Sequence, residues 1–134
     1  MPRFATATVA ELQRVGLFQE LSGEVLTKLA HQMRRVEMAP GGPIVLEGEQ
    51  GADFFVILRG LVAVSNQGGL GSRRMLRPGD YFGEVALAMD IPRTASVTAL
   101  MPTTLAACDR KTFDALIRPL FADDTPGEGS EQAD

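Results

Sequence analysis

Tyr81-Phe82-Gly83-Glu84-Val85-Ala86-Leu87-Ala88-Met89-Asp90-Ile91-Pro92-Arg93-Thr94-Ala95-Ser96-Val97 is the stretch on which the reading of this chain turns. It runs through a glycine turn, a helix of about one and a half turns, a proline stop, and an arginine that opens a β-strand. Gly83 lets the backbone come close to a ligand and leaves the next amides pointing outward. The helix begun by Glu84-Val85-Ala86-Leu87 has first N–H groups without an intrahelical partner, which suits an anion. Arg93 adds a permanent cation whose planar fork matches phosphate oxygens. A sugar hydroxyl donating to Glu84 beside a phosphate held by Arg93 describes a ribose phosphate. The plainer alternative is an ordinary turn, helix and strand, with Glu84 and Arg93 paired only to each other.

On both sides of this stretch the chain alternates and turns often. Val36 and Met38 alternate with charged neighbours before a Pro40-Gly41-Gly42 turn, and Ile44 to Leu46 reads as a short strand. Asp53 to Leu58, Leu61 to Ser65 and Arg73 to Leu76 follow as strands, with Gln67 to Gly71 as a hairpin tip. Arg77-Pro78-Gly79-Asp80 turns the chain into Tyr81-Phe82, and Ala95 to Leu100 and Thr104 to Cys108 complete the set. Short strands punctuated by Gly and Pro predict a β-sandwich or barrel. Helices flank it. Thr8-Val9-Ala10-Glu11 has capping-box spacing, with a break near Gly16 and Leu17-Phe18 turned inward. Ser22 caps a second helix with Leu21, Val25, Leu26 and Leu29 on one face and a solvent-facing His31 at its end. Asp109 caps a last helix, with Phe113, Leu116, Ile117 and Leu120 on one face and Pro119 expected to end it.

Phe82-Gly83-Glu84-Val85-Ala86-Leu87, a short spacer, then Pro92-Arg93-Thr94-Ala95-Ser96-Val97 resembles the phosphate-binding cassette of the cyclic-nucleotide-binding domains. These occur in regulatory subunits of cyclic-AMP-dependent kinase, in catabolite activators and in nucleotide-gated channels. Gly48, Gly51 and Gly60 also fall where that family places glycines, and they are expected to shape the roll and not to touch ligand. The resemblance spans Val15 to Leu120. It implies a mainly β fold: an eight-stranded, jelly-roll-like β-roll with N-terminal helices, a short cassette helix and a C-terminal helix. It also implies a cyclic AMP ligand, with cyclic GMP left open. Glu84 would then accept from the ribose 2′-hydroxyl beside the Gly83 backbone. Arg93 would pair with the phosphate, assisted by amides of Val85, Ala86 and Thr94 or Ala95. The Thr94 hydroxyl would reach the phosphate or the amino group of a syn purine. Val62, Val64, Leu76 and Val97 would line sugar and base, although their alternation fits barrel core equally well. A helix that closes over the base as a lid is usual in the family, and the stretch after Leu120 reads as lacking it.

Composition narrows the remaining classes. At 134 residues and 45% hydrophobic, the chain has enough apolar surface for one core. Residues 1–121 are expected to form the domain and 122–134 an acidic, disordered tail. Five of the 17 acids fall in that tail, so the body carries 12 acids against 13 bases and offers no basic face to nucleic acid. Cys108 is the single cysteine, so no intrachain disulfide forms, which fits a reducing cytoplasm. No apolar run approaches membrane-spanning length, and no membrane insertion is expected. With one His, a metal cluster is not expected, and no nucleophile–base pair stands near the cassette, so binding without turnover is the expectation. The implied role is a sensor whose output is helix repacking, with a regulated effector or a homo-oligomer open as partner. Three alternatives stay open: a non-binding β-roll serving as scaffold or dimerisation unit, a cupin-like metalloenzyme, and a fragment of a catabolite-activator-type transcription factor.

Overall fold

Residues 5–65 and 73–122 are described in the structure, a computed structural model. Among them are β1 (Arg34–Met38), β2 (Pro43–Val45), β3 (Asp53–Arg59), β4 (Val62–Ser65), β5 (Arg73–Leu76), β6 (Tyr81–Phe82), β7 (Ser96–Ala99) and β8 (Thr103–Asp109). They form two antiparallel four-stranded sheets, in the orders β1-β8-β3-β6 and β2-β7-β4-β5. The expected eight-stranded roll is therefore present. The expected tip at Gln67 to Gly71 lies outside the described residues, as does the expected tail 122–134 from residue 123 on, whereas Ala122 ends a helix.

Strands β3 and β8 read as nearly continuous apolar runs because both of their faces are covered. Successive side chains of a strand point to opposite faces. Phe54, Val56, Ala106 and Cys108 face the helices, while Phe55, Ile57, Leu105 and Ala107 face the second sheet. The two layers of core thus share one sheet. Within the inner layer lie Val62, Val64, Leu76 and Val97, each no more than 8% exposed. Cys108 is buried and free, and burial, with the nearby Asp109 and Asp53 carboxyls, pushes its thiol up to about 12.

The helices begin where their caps predict. Thr8 Oγ1 accepts the Glu11 amide at 3.2 Å and Glu11 Oε1 accepts the Thr8 amide at 3.0 Å, which closes a capping box on α1 (Val9–Gln13). A single 3-10 turn, Gly16–Phe18, follows and buries Phe18, with Leu17 half-buried. Ser22 caps α2 (Gly23–Gln32), which buries Leu26, Leu29 and Ala30, half-buries Val25 and leaves His31 exposed, while Leu21 lies half-buried just before the cap and not on the helix face. The cassette helix is α3 (Glu84–Met89).

The C-terminal helix departs from expectation. Asp109 caps α4 (Arg110–Thr112) as predicted, but Phe113–Ile117 is then a π-helical turn and α5 (Pro119–Ala122) continues beyond the proline. The Arg118 amide donates five residues back to Phe113 at 2.7 Å, and Pro119 stands at the first position of the next turn. A missing N–H removes no helical bond there, so Pro119 starts a turn where it was expected to end one. Phe121 is carried back onto Tyr81 and Phe113, at ring-centroid distances of 5.8 and 6.4 Å.

Candidate functional site

Gly83 stands between β6 and α3 with φ of +101°, a left-handed conformation that side chains resist. A Cβ there would lie 2.9 Å from Arg93 Nη1 and 2.9 Å from the Asp53 carbonyl oxygen. Glycine is therefore required twice, for its backbone angle and for the closeness of its neighbours. Glu84 is the first residue of α3 and half-buried, with its Oε1 shut off from solvent. The amides of Val85 and Ala86 lie in the first turn, where no helical carbonyl is available to them.

The helix ends earlier than proline alone would dictate. Asp90 adopts φ 55° and ψ 49°, the left-handed cap conformation, and its amide returns to the Ala86 carbonyl. The stop thus belongs to Asp90, two residues before Pro92. Arg93 does not open the strand either: β7 begins at Ser96, and Arg93 lies in the preceding loop. That loop is held by backbone pairing. Arg93 N–H donates to the Glu49 carbonyl at 2.8 Å, and Gly48 N–H donates to the Arg93 carbonyl at 2.9 Å. A bridge between Gln50 and Pro92 extends the pairing.

Arg93 is only 7% exposed. Its Nη2 donates to the Asp53 carbonyl at 2.7 Å, and its Cζ lies 6.0 Å from the Phe55 ring centroid. A Cβ on Gly51 would stand 2.6 Å from both Cζ and Nε of Arg93. The guanidinium therefore fills a slot bounded by Gly51, Gly83 and the Asp53 carbonyl. An arginine stays charged when buried, so the slot fixes a positive charge beside the start of α3.

The geometry brings Gly83, Glu84 and Arg93 together, and it places Val85 and Ala86 on the same turn. Thr94 is exposed, and Ala95 is buried against the inner core. Phe82 and Ala95 join the inner core from either side of the cassette, the same core that holds Val62, Val64, Leu76 and Val97. Two features escaped the sequence reading. Gly51 was expected to shape the roll, and in addition it makes room for Arg93; its small size was the only available signal. The Asp53 carbonyl had no signal at all, since every residue carries one. Among the described residues no three His, Cys, Asp or Glu side chains gather into a metal-binding group, and no helix is long and apolar enough to cross a membrane.

Comparison with known proteins places this geometry. A family model described as the cyclic nucleotide-binding domain matches residues 35–119. A cAMP-dependent protein kinase regulatory subunit of Candida albicans is 38% identical over 109 residues, covering 81% of this chain and 24% of that protein. The corresponding subunit of Yarrowia lipolytica is 35% identical over 110 residues, covering 82% of this chain and 29% of that protein. The chain thus spans less than a third of the length of these relatives. Among solved structures, the regulatory domain of Toxoplasma gondii PKA with cAMP superposes with a TM-score of 0.78 at 28% identity, covering 84% of this chain and 44% of that one. The family match takes in more than half of the chain, including the whole cassette and the strands that seat it. This chain belongs to the cyclic-nucleotide-binding domain family.

Proposed function

We propose that this chain is a cyclic-nucleotide sensor that takes cyclic AMP as its ligand and acts by binding alone. The observation that carries the reading is the buried Arg93 guanidinium, seated between Gly51 and Gly83 at the start of the cassette helix. In this reading Arg93 and the amides of Val85 and Ala86 hold the cyclic phosphate, helped by an amide of Thr94 or Ala95, and Glu84 accepts from the ribose 2′-hydroxyl. Val62, Val64, Leu76 and Val97 lie nearest the sugar and base. Such a cradle stabilises an intact phosphodiester and offers no group to attack it, so no turnover is assigned. The relatives named regulatory subunits of cAMP-dependent protein kinase support a kinase chain as the regulated partner. A single, buried, free cysteine fits a cytoplasmic location for the sensor.

Base choice is the finer part of the proposal. Thr94 is exposed beside the slot, so its hydroxyl is available to the amino group of a syn guanine. Calorimetric titration of wild type and Thr94→Ala with both nucleotides tests ligand and selectivity together. Cyclic AMP binds both proteins alike, and cyclic GMP binding falls roughly two- to tenfold in the variant, the worth of about 0.5–1.5 kcal/mol for one hydrogen bond. A wild type that binds no cyclic AMP overturns the sensor reading. A cyclic GMP affinity unchanged in Thr94→Ala overturns the role of Thr94.

A further inference from the structure

The cassette helix has a second end, and an arginine from the C-terminal helix is bound to it. In α3 the last carbonyls have no helical donors, as at every helix terminus. The Ala86 carbonyl is taken by the amides of Asp90 and Ile91. The Leu87 carbonyl accepts from Nη1 of Arg110 at 3.0 Å, and Nη2 of the same side chain reaches Asp90 Oδ1 at 3.2 Å. Arg110 is the first residue of α4, directly after the Asp109 cap that fixes the start of the C-terminal helix. The Leu87 side chain lies in the same outer core as Phe113 and Ile117, all three fully buried. Leu87 is therefore bonded to the C-terminal helix through its carbonyl, and its side chain shares that helix's apolar core.

The two contacts of Arg110 are not equal. The Asp90 carboxylate is 76% exposed, and an ion pair so open to water contributes little. The bond to the Leu87 carbonyl is partly buried and uses a charged donor, so it is the stronger tie. A cation at the carboxyl end of a helix is also the favourable sign for the backbone dipoles.

We propose that Arg110 is a positioning residue that makes the cassette helix and the C-terminal helix move as one body. The proposal rests on the sensor reading above. Nucleotide meets Gly83 and Glu84 at one end of α3, six residues of helix carry the displacement, and Arg110 delivers it to the C-terminal helix at the other. Without the arginine the two helices share an apolar core, which has no directional bond to hold their register.

Hydrogen–deuterium exchange on the intact chain, with and without saturating cyclic AMP, tests this. In wild type the nucleotide slows exchange at residues 84–91 and also at 113–122. In Arg110→Met, which keeps an apolar stem but no donor, slowing persists at 84–91 and is lost at 113–122. Cyclic AMP affinity falls by roughly three- to tenfold, the scale of one ordinary hydrogen bond, because this one lies outside the nucleotide site. Asp90→Asn tolerates the left-handed backbone, removes the carboxylate charge, and leaves the wild-type pattern. If Arg110→Met does not fold, Arg110→Lys makes the same comparison: it keeps the charge but reaches only one of the two acceptors, and its protection at 113–122 is intermediate. Nucleotide-induced protection at 113–122 that is undiminished in either arginine variant overturns the proposal while leaving the sensor intact. A wild-type chain that binds no cyclic AMP removes the sensor reading and this proposal with it.

Discussion

Gly51 and Gly83 bracket the Arg93 guanidinium, and their replacement has different consequences. At Gly51 the atoms nearest an added Cβ are those of the Arg93 guanidinium, with Cζ and Nε at 2.6 Å. The Arg93 backbone is pinned through Gly48 and Glu49, so relief comes from swinging the guanidinium away from the Asp53 carbonyl. Gly51→Ala is therefore expected to weaken cyclic AMP binding by about tenfold or more, the scale of a lost charged hydrogen bond, with a small change in Tm. At Gly83 the new Cβ also meets the Asp53 backbone in a left-handed conformation, so Gly83→Ala loses stability as well, by about 1–3 kcal/mol. Calorimetric titration and thermal melts of the two variants separate these effects. Wild-type affinity in Gly51→Ala contradicts the slot as described. Gly83, Glu84 and Arg93 were legible in the sequence because each needs a particular side chain, or none, at a fixed spacing. The Asp53 carbonyl and the Arg110–Leu87 bond were not, because a backbone acceptor leaves no mark on residue identity.

Secondary-structure elements divide along the same line between local and distant causes. Caps are local, and Thr8, Ser22 and Asp109 start helices as their sequence contexts predict. Helix ends were misread where one residue's backbone angle, or a widened turn, overrode a nearby proline. Asp90 stops α3 before Pro92, and the π turn at Phe113–Ile117 lets the chain run past Pro119. The Asp109 cap makes a prediction about acid. Its carboxyl accepts the Thr112 amide at 2.9 Å, and that bond, opposed by burial and helped by Lys111, holds it below the ordinary value of 3.8. With the folded value depressed, the unfolded chain binds more protons between the two values. This stabilisation is fully present above 3.8 and lost as pH falls through the lower folded value. Asp109→Asn keeps a good cap without a titrating group, so it costs less than about 1 kcal/mol at neutral pH. Its Tm falls less steeply than that of wild type below 3.8. Parallel acid limbs for the two proteins contradict this assignment.

Across the whole molecule, a single sheet divides two cores, and the cassette lies where both can reach it. Phe82 and Ala95 join it to the inner core, while Leu87 joins it to the helices outside. The nearly continuous apolar runs of β3 and β8 fit strands buried on both faces, but their pairing does not follow from those runs. Phe55 stands opposite Ala107, a partner far along the chain, and such pairings depend on how the full set of strands closes. The central claim is that this architecture holds a cyclic nucleotide through Arg93. Thermal unfolding in a cyclic AMP series, on wild type and Arg93→Ala, tests it most directly, because a ligand that binds only the folded state raises its stability. Wild-type Tm rises with concentration, reaching about 2.7 kcal/mol of stabilisation at a hundredfold excess over Kd. Arg93→Ala, with affinity reduced by about 30-fold to several thousand-fold, keeps at most about a third of that stabilisation at the same concentrations. A wild-type Tm that ignores cyclic AMP, or a rise of wild-type size in Arg93→Ala, contradicts the account.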